Sequence, residues 1–141
     1  MTKKKTSDLQ QELTSTTDLK RFLSENQEHL INENLTEMLQ NMLKKSGLSK
    51  AALAKKASTS EVYLYQIFSG ERTPSRDRTI CLCFGFSASL EETQQMLKYS
   101  GFAELFVRDK RDAIIIFGIS HGLTLDEVND ELYSEGEPTL C

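Results

Sequence analysis

The chain has 141 residues, of which 38% are hydrophobic and 27% charged, enough for one domain with a buried core that needs no disulfide staples. Its longest aliphatic cluster, Ala113 to Ile119, is far too short to span a bilayer, and the MTKKKTSD start has no apolar segment behind its lysines, so neither a membrane span nor a signal peptide is expected. The net charge of −4 at first argues against a nucleic-acid partner.

In chain order, residues 1–6 read as a loose basic arm. Ser7 opens a short helix that reaches Leu13. Thr17 caps a second, predicted over Asp18–Leu30, with Leu19, Phe22, Leu23 and Leu30 near helical spacing. Asn32 to Asn34 form a break. Leu35–Ser46 carries Leu35, Met38, Leu39, Met42 and Leu43 on one stripe, and Gly47 is placed as its left-handed C-cap. Ser49 caps a helix that runs to about Ala57, with Ala52, Leu53 and Ala57 inward. Ser58-Thr59-Ser60 then supplies a turn and an N-cap for Glu61–Ser69, which buries Leu64, Ile67 and Phe68 and stops at Gly70. Ser75 caps Arg76–Gly85, whose Ile80, Leu82 and Phe84 are core candidates. Two short helices, a tight turn and a glycine exit are the layout of a helix-turn-helix, whose second helix can enter the major groove of DNA.

Beyond this point the sequence repeats. Arg76–Gly101 aligns without gaps on Arg111–Gly136 at an offset of 35 residues, with Arg76/Arg111, Asp77/Asp112, Ile80/Ile115, Leu90/Leu125, Glu92/Glu127, Leu97/Leu132 and Gly101/Gly136 identical. Ser89 with Glu92, and Thr124 with Glu127, each make a capping box. Two αα-hairpins joined by Phe102–Lys110 are predicted, although shared helix punctuation explains most of the match as well as duplication does. Glu137–Cys141 reads as a tail. No strand pattern appears, so the chain is all-α.

Charge is distributed unevenly. Residues 38–80 hold eight Lys/Arg and three Asp/Glu, a net +5, whereas residues 1–37 sum to −2 and residues 81–141 to −7. The positive charge surrounds the helix-turn-helix, as a DNA-facing surface requires, although Lys55 and Lys56 could equally solvate a helix. The three cysteines, Cys81, Cys83 and Cys141, fit a reducing cytosol. Cys81 and Cys83 stand about 200° apart on a helix and are poor joint metal ligands, better read as small hydrophobes. His29 and His121 neighbour no cysteine and no catalytic partner, so no enzyme and no cofactor are predicted.

The segment from about Leu35 to Leu97 resembles the lambda-repressor-like (Xre-family) DNA-binding domain. The resemblance rests on Gly47-Leu48-Ser49, Ala51-x-Leu53-Ala54, Ala57-x-x-Ser60, Tyr63-Leu64, Ile67, Ser69-Gly70-x-Arg72-x-Pro74-Ser75 and Ser89-Leu90-Glu91-Glu92. It implies an all-α organisation: residues 1–34 as basic arm and N-terminal helices, 35–101 as the helix-turn-helix domain, and 102–141 as an added αα-hairpin and tail on the same core. It further implies a cytoplasmic transcriptional regulator that binds double-stranded DNA, with a homodimer on a two-fold operator giving useful specificity. Ile114–Ile119 or the last helix could supply the dimer surface, though those isoleucines suit a core as well.

The resemblance assigns base contacts to Ser60, Glu61, Val62, Tyr65 and Gln66. Gln66 can bond adenine through two hydrogen bonds, Val62 can touch a thymine methyl, and Glu61 can accept from cytosine or simply favour the positive end of its helix. Lys50, with its amide and its ammonium, suits a phosphate, as does Arg72; Lys55, Arg76 and Arg78 are weaker phosphate candidates. Arg76-Asp77 recurs as Arg111-Asp112, which suits a structural role. Ser58 stands where the family often has glycine, and no Arg or Lys lies between Glu61 and Ser69. Tyr63, Tyr65 and Phe68 give that helix an aromatic character, which leaves open a protein-interaction adaptor on the same scaffold, with Tyr65 as its anchor.

Overall fold

The computed structural model describes residues 4–26 and 35–141, and the regular structure among them is entirely helical. The chain divides into two units, Met1–Asn32 and Glu33–Cys141. The expected break at Asn32–Asn34, Leu30 and His29 lie outside the described residues.

The first unit holds α1 (Thr6–Ser15) and α2 (Leu19–Glu25). Both differ from expectation. Helix α1 starts ahead of Ser7, from Lys5, which makes no side-chain cap. Lys4 is not loose: its Nζ donates to Glu12 Oε1 at 2.7 Å and to Asn26 Oδ1 at 2.6 Å. Asp18, rather than Thr17, caps α2, because its carboxylate accepts from the Arg21 amide at 3.1 Å. The helix ends at Glu25, where Asn26 is buried and its Nδ2 donates to Phe22 O and Glu12 Oε2. Phe22 is buried as predicted, but Leu19 and Leu23 are exposed.

In the second unit, α3 (Leu35–Ser46), α4 (Lys50–Lys56), α5 (Glu61–Ser69), α6 (Arg76–Gly85) and α7 (Leu90–Tyr99) surround one apolar cluster that includes Leu39, Leu53, Ala57, Leu64, Ile67, Leu82 and Met96. Ser49, Ser60, Ser75 and Ser89 each accept from an amide in the following turn, the N-caps their positions imply. Gly47 and Gly70 have φ of +70° and +83°, the left-handed stops expected of them.

Helices α8 (Lys110–Ser120) and α9 (Leu125–Ser134) build a second cluster with the far sides of α6 and α7, in which Ile80, Cys81, Leu97, Leu105, Ile115, Val128, Leu132 and Leu140 are buried. Cys81 and Cys83 therefore sit in different clusters, on opposite sides of α6. Burial pushes the Cys83 thiol up to about 12 and raises Cys81 as well, so both stay protonated as small core side chains. Phe84 is only partly buried, not core.

The repeat is structural, and it runs further than the sequence match. Ser87 and Gly122, 35 residues apart, both take positive φ (+54° and +68°), as do Gly101 and Gly136. Arg76 sends its guanidinium to Asp112, with N···O distances of 3.3 and 3.0 Å, and Arg111 sends its own to Asp77, both at 3.0 Å. Each arginine also holds its own following loop: Arg76 at the carbonyls of Ala103 and Glu104, Arg111 at those of Pro138 and Thr139. Gln94 accepts from the Leu105 amide, and its counterpart Asn129 accepts from the Leu140 amide. Contacts in which each copy's arginine meets the other copy's aspartate are those of a two-fold relation, here within one chain. Residues 137–141 are consequently not a free tail. They are the second copy of 102–106, and Leu140 is buried like Leu105.

The two crossed pairs differ in burial. Asp112 is almost enclosed and also accepts from the Phe106 amide, whereas Asp77 has 39% of its side chain exposed. Asp112→Ala should cost about 3 kcal/mol in urea unfolding and Asp77→Ala about 1 kcal/mol, because the first removes the enclosed carboxylate and leaves the Phe106 amide unpaired as well as Arg76, whereas the second removes a carboxylate that water already reaches. Equal losses would contradict this picture. The capping box of α7 makes stability depend on acid. Glu92 accepts from the Ser89 amide at 3.0 Å, which holds its carboxyl below the ordinary carboxylate range. A lowered folded value means that its contribution is complete above the unfolded value and vanishes as pH falls through the folded one. The stability gap between the native chain and Glu92→Gln should therefore close as unfolding is followed from pH 6 to pH 3.

Candidate nucleic-acid interface

Helices α4 and α5 meet through a turn that strains the residue at its centre. Ser58 takes φ of +51°, the left-handed region, so that the Thr59 amide reaches back to the Ala54 carbonyl at 2.9 Å. Ser60 then accepts from the Tyr63 amide at 3.1 Å and starts α5. Leu64, Ile67 and Phe68 anchor the inner face of α5, and Gln40 on α3 donates to the Phe68 carbonyl at 3.2 Å, fixing its far end.

Fixing that inner face decides what points out. Ser60 and Glu61 are exposed, Val62 is 67% and Tyr65 53% exposed, and Gln66 is half-buried at the edge. All five predicted base-contacting residues therefore lie on one accessible stretch. Large side chains as open as Val62 and Tyr65 add nothing to the core.

Cations frame this surface through aromatic rings. Lys50 Nζ stands 4.8 Å from the centre of the Tyr65 ring and 5.6 Å from that of Phe68, which ties the start of α4 to the outer face of α5. Tyr63 receives two guanidiniums, Arg72 at 5.6 Å and Arg78 at 5.5 Å, and Arg78 also reaches the Ser58 carbonyl at 3.4 Å. The Arg72 amide donates to the Gln66 carbonyl, so the exit of α5 positions this arginine through its backbone. Lys50, Arg72 and Arg78 thus gather around α5 without any basic residue on it.

Two candidates fall elsewhere. Lys55, five residues after Lys50 and so about 140° around the helix, faces a cavity shared with the C-terminal hairpins. Arg76 is occupied by Asp112 and two carbonyls, in keeping with the structural role its repetition suggests. The ring contacts themselves were out of reach of the sequence, because Lys50 and Tyr65 are brought together only by the crossing of α4 and α5.

A family model described as helix-turn-helix, of the lambda-repressor-like (Xre) type, matches residues 39–78. Those residues are thus similar to a lambda-repressor-like helix-turn-helix domain. The match runs from α3 through α4 and α5 into the first turn of α6, and the all-helical architecture around it is consistent with that fold. No curated protein and no solved structure matches the chain. The family is one of DNA-binding domains.

The domain's turn gives a direct check. Left-handed φ costs a residue with a Cβ about 1–2 kcal/mol, and glycine loses about 0.5–1 kcal/mol more chain entropy on folding. Ser58→Gly should therefore stabilise the protein by about 0.5–1 kcal/mol in urea unfolding.

Proposed function

We propose that the chain is a sequence-specific duplex-DNA-binding transcriptional regulator that places α5 in the major groove. The observation that carries this reading is the exposed Ser60, Glu61, Val62 and Tyr65, with half-buried Gln66 at their edge, on the second helix of a helix-turn-helix match, framed by Lys50 and Arg72. Gln66 offers the paired donor and acceptor that adenine takes, Val62 an apolar contact for a thymine methyl, and Glu61 an acceptor for the cytosine amino group. Lys50 and Arg72 meet phosphates on either side, with Arg78 a further phosphate contact, whereas Lys55 faces away from this surface. A module of this size gains useful specificity by acting as a homodimer on a two-fold operator.

The uneven charge supports the same reading. Residues 38–80 carry +5, so an acidic protein presents a basic face, and the −7 of residues 81–141 disfavours other docking orientations.

A second reading is favoured by one specific feature, the exposed Tyr65 and Val62 on a helix that lacks Lys and Arg. Such a face also suits an adaptor that grips a protein. Fluorescence anisotropy on duplex DNA over a salt series separates the two. A regulator binds in low salt with affinity that falls steeply as salt rises. Lys50→Ala should weaken binding to all sequences and reduce the salt slope by about 1, whereas Gln66→Ala should cost about 1–3 kcal/mol on the preferred sequence only. Absence of binding to any duplex at low salt would overturn the regulator and leave the adaptor.

A further inference from the structure

A cavity of about 590 Å³ opens between the last turn of α4 and the turns that join α6 to α7 and α8 to α9. That volume is in the range of sites for small organic molecules. Phe84, Ala88, Ile119 and Leu123 line it, and each is only partly buried, so the cavity presents apolar surface that water covers poorly. Lys55 and Lys56 stand at its rim, and among the described residues neither forms an ion pair. Asp126 is the one carboxylate there, which leaves a positive balance over an apolar floor.

Each part of this arrangement has a cause elsewhere in the fold. Ser58, Ser87 and Gly122 all take positive φ, and the three left-handed turns they make border the cavity. The repeat therefore places two equivalent turns opposite the turn of the helix-turn-helix. Its apolar floor continues the two buried clusters, with Ala88 packed on the first and Phe84, Ile119 and Leu123 on the second.

We propose that this cavity binds a small amphipathic carboxylate, with its head group at Lys55 and Lys56 and its apolar body on Phe84, Ile119 and Leu123. An uncharged analogue of the same body forfeits the charge-assisted hydrogen bonds, and a cationic one meets two ammonium groups. The cavity touches the turn between α4 and α5, so its occupant acts on the DNA-facing helices. That consequence rests on the DNA-binding reading, whereas carboxylate binding does not.

The test is an amide NMR titration of the full chain with decanoate, decanol and decyltrimethylammonium, each below its aggregation concentration. Decanoate should shift the amides of residues 55–58, 87–88 and 119–126 and saturate at one molecule per chain. Decanol should bind about tenfold more weakly, and the cation should leave those amides unmoved. Replacing both exposed lysines, Lys55→Ala with Lys56→Ala, should weaken decanoate about tenfold and leave decanol unchanged. Ala88→Trp, which fills the floor, should abolish both. Shifts that map to other residues, or a cation that binds as well as decanoate, would overturn the proposal whether or not the protein binds DNA.

Discussion

Helix α6 has no solvent face to spare, and the second unit is organised around that constraint. Thr79, Ile80, Cys81, Leu82, Cys83 and Gly85 are all buried, with alternate sides in two different apolar clusters. A helix buried on every side must satisfy its polar groups locally and approach its neighbours closely. Thr79 Oγ1 donates to the Ser75 carbonyl at 2.8 Å, and the Cys81 thiol points at the Leu140 carbonyl. At Gly85 any Cβ would sit 2.8 Å from Leu53 and 3.2 Å from Ala57, so α4 lies as near to α6 as the backbone permits. The orientation of α4, and through it that of α5, follows from this contact.

The first turn of α6 carries the charged counterpart of that packing. Arg76 and Asp77 exchange partners with Asp112 and Arg111, which clamps the two hairpins across an internal two-fold relation. Asp77 in turn raises the Arg111 guanidinium above its ordinary value. Helix α6 thus has one side in the helix-turn-helix and the other in the repeat.

Much of this was legible in the sequence because caps and glycines are local signals. Ser49, Ser60, Ser75, Ser89 and Thr124 each cap the helix their position implies, and the repeat announced itself in Arg76-Asp77 and Arg111-Asp112. What the residues did not reveal was that the arginines cross over, since reciprocal pairing is a property of two segments in space. For the same reason residues 137–141 read as a tail: apart from Leu140, little in them is apolar, and their order comes from Arg111 and Asn129. The N-terminal unit was the least legible. Two neighbouring residues, Thr17 and Asp18, could both cap α2, and the carboxylate is the one that reaches the Arg21 amide. At the interface, burial of Leu64 and Ile67 fixed by elimination which residues face out, but the ring contacts of Lys50, Arg72 and Arg78 depend on helix crossings.

These contacts bear on how an acidic protein with no basic residue on its second helix could approach DNA. Its cations are supplied from α4, from the exit of α5 and from α6, and the rings of Tyr63 and Tyr65 hold them beside the accessible face of α5. On the proposed reading, base recognition would fall to Gln66, Val62 and Glu61. Selection of bound duplexes from a random library tests that division most directly. The account predicts an enriched motif with two-fold symmetry whose adenine preference at one position is lost in Gln66→Ala. A library that emerges unenriched, or a motif identical for the native chain and Gln66→Ala, would contradict it.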